Sequence, residues 1–463
     1  MRPPELQWGG RFAHHPDASL LAFGSSLEDD LVLAPFDVAC SRAHVAALEG
    51  GKIVDERVAS ALRETLQRVG DEIERGAFDE IARATGAEDV HGAIDARVRE
   101  LCADGESLHA GRSRNDQVAT TLLLYARERA EEGEAVSRTI VRELLARAKD
   151  ELAAQTLLGA MTHWQPAQPV LLSFWLVAAA EPFVRAMRRF ADARAECARS
   201  CPLGSGAVAG STLPLDREAA ARVLGFSAPS RNAMDAVGTR DGALDVAHAF
   251  VRAVTDASRV ASELVIWCTP AFGYARLGDA SSTGSSLMPQ KRNPDPFELV
   301  RGSAAELAGA YAGALASLGG LALSYHRDLQ QTKRLAMSAI ERGLAALHAF
   351  SRALADVQLA RGPMNAHAAD GYAVATDVAD ALILRGLSAR RAHALVGAAV
   401  AHAEREGRDL AASDLVLAAR ESGLEALEAP LDAGSSVRAK RTSGSTNPSE
   451  VARTIADLEA ELA

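Results

Sequence analysis

The chain has 463 residues, a formal net charge of −11, an isoelectric point near 5.6 and 48% hydrophobic residues. That is too long for one compact core, and the acidic balance without basic tracts argues against nucleic acid as a partner. Only 5% of residues are aromatic and alanine and leucine dominate, which favours helix over sheet. The five cysteines, Cys40, Cys102, Cys197, Cys201 and Cys268, form no CxxC pair, so they read as reduced thiols of a cytoplasmic protein. No apolar h-region follows the N-terminus, and the longest apolar run, 170–180, is too short to span a bilayer, so no membrane role is expected. Only five of the 50 basic residues are lysine (Lys52, Lys149, Lys291, Lys333, Lys440). In so arginine-rich a chain, each lysine points to a place that wants a compact ammonium.

Short helices and loops are predicted over 1–110. Trp8-Gly-Gly-Arg-Phe12 and Phe23-Gly-Ser-Ser26 read as turns, 36–49 and 55–75 as helices, and Glu88-Asp-Val-His91 as an acidic helix start. A polar loop follows, Gly105-Glu-Ser-Leu-His-Ala-Gly-Arg-Ser-Arg-Asn-Asp-Gln117, running into a helical pattern over 118–158. With Asn115 or Asp116 as N-cap and Arg112 and Arg114 alongside, the free N–H groups of this helix start suit a carboxylate.

A further polar loop, Met161-Thr-His-Trp-Gln-Pro-Ala-Gln-Pro169, precedes a helix over 170–200 in which Pro182 is a place for a kink. Segment 201–241 is irregular. Long helical patterns then cover 242–272, 297–318 and 329–360, giving five long helices with alanine-rich outer faces. No alternating strand pattern and no repeat is visible, so the fold class is all-α, with an elongated central bundle of five long helices as an oligomeric core. The expected domains are an N-terminal helical part (1–110), the long-helix bundle (111–361) and a small helical C-terminal part (362–463). The last is expected to hold short helices over 377–385, 388–406 and 413–422, a Ser/Gly-rich turn over 433–447 and a final helix from Pro448.

One stretch stands apart from this pattern: Ser281-Ser-Thr-Gly-Ser-Ser-Leu-Met-Pro-Gln-Lys-Arg-Asn-Pro-Asp295. Composition alone makes it a solvated linker, but Met288, Lys291 and Asn293 are not linker residues. Gly-Ser-Ser-x-Met-Pro-x-Lys-x-Asn-Pro resembles the signature loop of the fumarase/aspartase superfamily of β-eliminating lyases. The remaining loops, including Trp8–Phe12, Glu88–His91, Leu108–Thr120, Thr162–Pro169, Pro202–Gly206 and Asp328-Leu-Gln330, are similar to the argininosuccinate lyase/δ-crystallin branch, and the likeness covers essentially the whole chain. Departures stand at Trp164, where leucine is usual, at Thr239 in place of aspartate, and at Gln331-Thr332, which replace two acids.

The resemblance implies a β-elimination that yields arginine and fumarate from argininosuccinate, without metal or cofactor. It makes Ser285 the proton-abstracting residue and gives Lys291 and Asn293 the stabilisation of the dianion. His163, with Glu298 beside it, becomes the partner that protonates the leaving nitrogen, although the acid and base roles of Ser285 and His163 stay interchangeable. Ser26, Ser113, Arg114, Asn115, Thr162, Arg240, Tyr325, Gln330 and Lys333 are implied as substrate-holding. The resemblance also implies a homotetramer whose active sites are shared between subunits. Two alternatives stay open: another N-substituted aspartate as substrate, and a non-catalytic crystallin-like relative.

Overall fold

A computed structural model describes residues 17–369, 372–423 and 428–462. The Trp8–Phe12 motif lies outside them. Helices dominate, and five are long: Arg114–Ala154, Leu172–Cys197, Asp241–Trp267, Asp295–Leu318 and Leu329–Ala355. The chain divides into two compact units. One comprises 1–134, 188–252 and 303–345, and the other 135–187, 253–302 and 346–463. The units therefore interleave along the sequence, and each long helix contributes residues to both.

In the first unit, apolar 18–50 is not one helix. It breaks into Ala18–Gly24, Leu27–Asp30, a 3-10 turn Leu31–Leu33 and Ala34–Gly50, and most of its side chains past Leu33 are buried. Helix Glu56–Glu74 starts where the Asp55 carboxylate accepts the Val58 N–H at 2.8 Å, and helix Val90–Leu101 where Asp89 accepts the Gly92 N–H at 2.6 Å. The long helices pack here through glycine. A Cβ on Gly133 would fall 2.7 Å from the Phe190 ring, and one on Gly343 would fall 2.7 Å from Phe250. Phe190 and Phe250 are themselves in edge contact at 4.7 Å, so glycine is what lets the helices approach the aromatic pair.

The second unit corrects the absence of strands. Leu157–Thr162 and Gln165–Leu171 pair antiparallel as a hairpin, with a register irregularity between Ala160 and Met161. The preceding helix therefore stops at Ala154, not at 158, and Gln155 takes a left-handed φ of 50°. Two residues, His163 and Trp164, make the hairpin turn, at φ of 55° and 59°. Tight hairpins favour that conformation, which usually calls for Asn or Gly. A second antiparallel pair, Ala275–Leu277 with Val357–Leu359, shortens the helix expected to reach 360.

Gly362 and Pro363 lie in the first turn of helix Arg361–Ala368. The tail departs from expectation in one place. The Ser/Gly-rich stretch after Asp432 is a helix, Ala433–Ala439, capped by the Asp432 carboxylate on the Ser435 N–H. Buried Ser436 then donates to Asp377 at 2.6 Å. A local core of Val378, Leu382, Ala392, Val396, Leu415 and Ala419 holds the tail helices.

Candidate active site

The first unit gathers eight of the residues implied as substrate-holding or their neighbours. The helix Arg114–Ala154 begins with a reciprocal cap: the Ser113 hydroxyl accepts the Asn115 N–H at 3.2 Å, and the Asp116 carboxylate accepts the Ser113 N–H at 3.0 Å. Ser113, not Asn115 or Asp116, is thus the cap residue. The other Asp116 oxygen accepts the N–H groups of Gly204 and Gly206, both at 2.9 Å, fastening the Pro202–Gly206 loop to this helix start. Asn115 donates its side-chain amide to the Ala207 carbonyl at 3.0 Å.

Arg114 is held from two sides, by Asp89 at 3.1 Å and by the Gln117 side chain at 2.8 Å. Burial is the strongest single influence and opposes ionisation of Asp89, but the Arg114 guanidinium together with His91, the Gly92 N–H and Lys333 holds the carboxyl below its ordinary range. Gln330 donates to the Gly24 carbonyl at 3.1 Å, which places it beside Ser25-Ser26. Lys333 is buried and paired with the fully buried Asp30. Arg240 is also buried. It donates to the carbonyls of Val237 at 3.2 Å and Thr239 at 2.6 Å, and its Nε has no partner among the described residues. Burial lowers Arg240 to about 10 and raises the Tyr325 phenol.

The residues implied as catalytic lie in the second unit. The stretch 281–295 is a loop with a closed neck: the Thr283 and Asn293 backbones exchange hydrogen bonds at 3.2 and 2.9 Å. Above the neck the chain turns on Ser285, whose Oγ accepts the N–H groups of Leu287 at 3.2 Å and Met288 at 3.0 Å. Two donors aimed at one hydroxyl oxygen favour negative charge there. Lys291 is exposed and, like Lys52, has no ion-pair partner among the described residues, whereas Lys149, Lys333 and Lys440 are paired with carboxylates. Asn293 reaches the Thr283 hydroxyl at 3.4 Å.

Glu298, in the first turn of Asp295–Leu318, lies 3.9 Å from Arg301. Thr162 and His163 are exposed at the hairpin tip, and His163 lines a cavity of about 540 Å³ with Trp164, Trp175, Trp267 and Tyr274. Among the described residues His163 and Glu298 make no ion pair with each other.

Comparisons with known proteins bear on what this site belongs to. Residues 10–309 match the family described as Lyase, and residues 372–437 match the argininosuccinate lyase C-terminal family. An argininosuccinate lyase of Leifsonia xyli subsp. xyli is 40% identical over 462 residues, covering 97% of this chain and 94% of the relative. One from Clavibacter sepedonicus is 40% identical over 415 residues, covering 88% and 83%. The chain belongs to the argininosuccinate lyase family. Among solved structures, an EDDS lyase in complex with formate superposes with a TM-score of 0.80 at 26% identity, covering 93% of this chain and 86% of that one.

Set against the family pattern, two of the departures are explained by packing. Thr332 is fully buried and shares a hydrogen bond of 2.7 Å with Ser317, so its side chain faces the core. The Thr239 hydroxyl accepts the Asp241 N–H at 3.3 Å, a helix-start role that aspartate also performs. Trp164 stays 60% exposed at the hairpin tip.

The pairing of Asp30 and the reach of Asp116 to the Pro202–Gly206 loop carry no local signal: Asp30 is the last of three consecutive acids, Glu28-Asp29-Asp30, and nothing nearby in sequence tells it from the other two. Lys333 was visible as a rare lysine, and its buried partner was not.

Proposed function

We propose that this chain is an argininosuccinate lyase, a carbon–nitrogen lyase that cleaves argininosuccinate to arginine and fumarate. The observation that carries this reading is the 281–295 loop, in which one hydroxyl receives two backbone N–H bonds and the neighbouring lysine is unpaired. Elimination needs a base for a weakly acidic C–H, a cation for the dianion that forms, and an acid for the departing nitrogen. The Ser285 oxygen is polarised toward the alkoxide, so it serves as the base when the loop covers substrate and water is excluded. Lys291 supplies the uncommitted positive charge and the Asn293 amide a further donor. His163 protonates the leaving guanidino nitrogen, with Glu298 sustaining its basicity.

Ser26, Ser113, Arg114, Asn115, Thr162, Arg240, Tyr325, Gln330 and Lys333 hold the substrate in this reading. Its carboxylates suit the arginine and lysine side chains and the helix start at Ser113.

His163, Lys291 and Glu298 are exposed in the single chain, and so is apolar Leu299 on the same helix as Glu298, at 70%. A dry site requires these surfaces to be covered, and a homotetramer with shared active sites in the cytoplasm provides that cover. The burial of Thr332 in the core favours argininosuccinate over another N-substituted aspartate. The deciding experiment is release of fumarate, followed by its ultraviolet absorbance, from argininosuccinate, adenylosuccinate, aspartate and EDDS in parallel. Turnover of argininosuccinate well above the others is expected. A preference for any other member of the panel overturns the substrate, and no turnover of any overturns the enzyme.

A further inference from the structure

Two members of the substrate-holding set end on the same buried carboxylate. Ser26 donates its hydroxyl proton to Asp30 Oδ2 at 2.6 Å, and Lys333 donates from Nζ to Asp30 Oδ1. Asp30 is fully buried, Lys333 is 4% exposed and Ser26 7%. The Asp30 N–H also bonds the Ser26 carbonyl at 3.0 Å, so the carboxylate is tied to the segment whose side chain it orients. Each oxygen of Asp30 therefore serves one residue, the two arriving from distant parts of the sequence.

We infer that Asp30 is a positioning residue that sets the hydrogen-bond polarity of the substrate pocket, fixing Ser26 as an acceptor and holding the Lys333 ammonium in place as a donor. This rests on the reading of Ser26 and Lys333 as substrate-holding. A hydroxyl has one proton. With that proton committed to Asp30, Ser26 offers a ligand only lone pairs and so recognises an N–H donor of the substrate. The lysine ammonium has three N–H groups and spends one on Asp30. Two remain for a carboxylate, and the ammonium is held still because its charge is balanced inside the protein. Asp30 itself touches no substrate. It decides which end of a zwitterionic ligand each neighbour accepts.

The test is steady-state kinetics with argininosuccinate on Asp30→Asn, Ser26→Ala, Lys333→Met and the Asp30→Asn/Ser26→Ala double variant. An asparagine at position 30 can turn an N–H toward Ser26, which releases the hydroxyl proton and reverses its polarity. Asp30→Asn is expected to raise KM roughly tenfold while kcat stays within about threefold, since the loss is in binding. Ser26→Ala should raise KM about fivefold in the native background and less than about twofold in the Asp30→Asn background. A merely structural role for Asp30 predicts a smaller active fraction instead, with kcat lowered at constant KM.

An unchanged KM in Asp30→Asn, or the same Ser26→Ala factor in both backgrounds, overturns the proposal. If Ser26→Ala and Lys333→Met both leave KM unchanged in the native background, the substrate-holding reading itself falls, and this inference with it. Should Asp30→Asn fail to fold because Lys333 is left buried without a counter-charge, Asp30→Asn/Lys333→Met removes the pair together. The Ser26→Ala factor is then read in that background, with the same outcomes.

Discussion

The Met288 backbone nitrogen lies 3.0 Å from the Ser285 hydroxyl oxygen and donates to it. With Leu287 doing the same from 3.2 Å, the serine sits in a small anion-stabilising turn at the crown of its loop. Ser285→Ala removes the proposed base and leaves the neck of the loop, the Thr283–Asn293 backbone pair, intact. Turnover should fall by on the order of 10³-fold with an unchanged thermal midpoint. Retention of substantial activity would remove Ser285 from the base role.

Lys291 and Lys52 are the two lysines without an ion-pair partner among the described residues, and of the two only Lys291 stands on the loop of the proposed base. Its compact ammonium can approach a developing dianion more closely than a planar guanidinium can. Lys291→Arg preserves the charge, so a loss of about tenfold or more in kcat measures what shape contributes. Because the side chain is exposed, urea denaturation should show no change in stability. A variant with native kcat would show that charge alone suffices.

His44 gives the first unit a pH dependence of defined sign. It is fully buried and its Nε2 lies 2.9 Å from the Ala110 carbonyl, and burial, reinforced by the Arg112 guanidinium, pushes it from 6.5 down to about 3. His109 moves the same way, to about 4. The unfolded imidazoles take up protons near their ordinary value while the folded ones do not. The unfolded state therefore binds more protons between about 6.5 and 3, and stability falls as pH drops through that window. His44 alone accounts for roughly 5 kcal/mol at full extent. His44→Gln keeps a donor for Ala110 and does not titrate, so urea midpoints measured from pH 7 to pH 4 should fall less steeply than in the native chain. An identical slope would assign the acid sensitivity elsewhere.

The hairpin tip places a tryptophan in left-handed conformation, at φ of 59° and 60% exposed. Strain of this kind costs about 1 kcal/mol in a non-glycine residue, and little buried area offsets it. Trp164→Gly should therefore raise unfolding stability by about 1 kcal/mol, measured by denaturant titration. A lower stability would mean that the indole's contacts around the adjoining cavity outweigh the strain.

The helices were legible because their signals are local. Apolar spacing repeats within a turn or two, and caps such as Asp55 and Ser388 sit next to the segments they start. The hairpin was not legible. Gln-Pro-Ala-Gln-Pro has no two-residue alternation, and His163-Trp164 lacks the Asn or Gly that announces a tight turn, so Leu157–Leu171 pairing had no counterpart in the sequence pattern. The stretch after Asp432 misled in the opposite direction. Its serines and glycine suggest a turn, yet one aspartate cap and the burial of Val437 and Ser436 are enough to make it helical.

By its sequence alone this chain declared an all-helical class, the wording of its polar loops and the reaction those loops resemble. Tertiary structure decided which groups meet: Asp30 between Ser26 and Lys333, Asp89 on Arg114, and Asp116 across to Gly204 and Gly206. The physical reason is range. Helix hydrogen bonds and caps join residues within one turn, and sequence spacing encodes them directly. Buried ion pairs join residues that only packing brings together, and their partners are settled by the balance of desolvation and Coulomb attraction at one place in the fold.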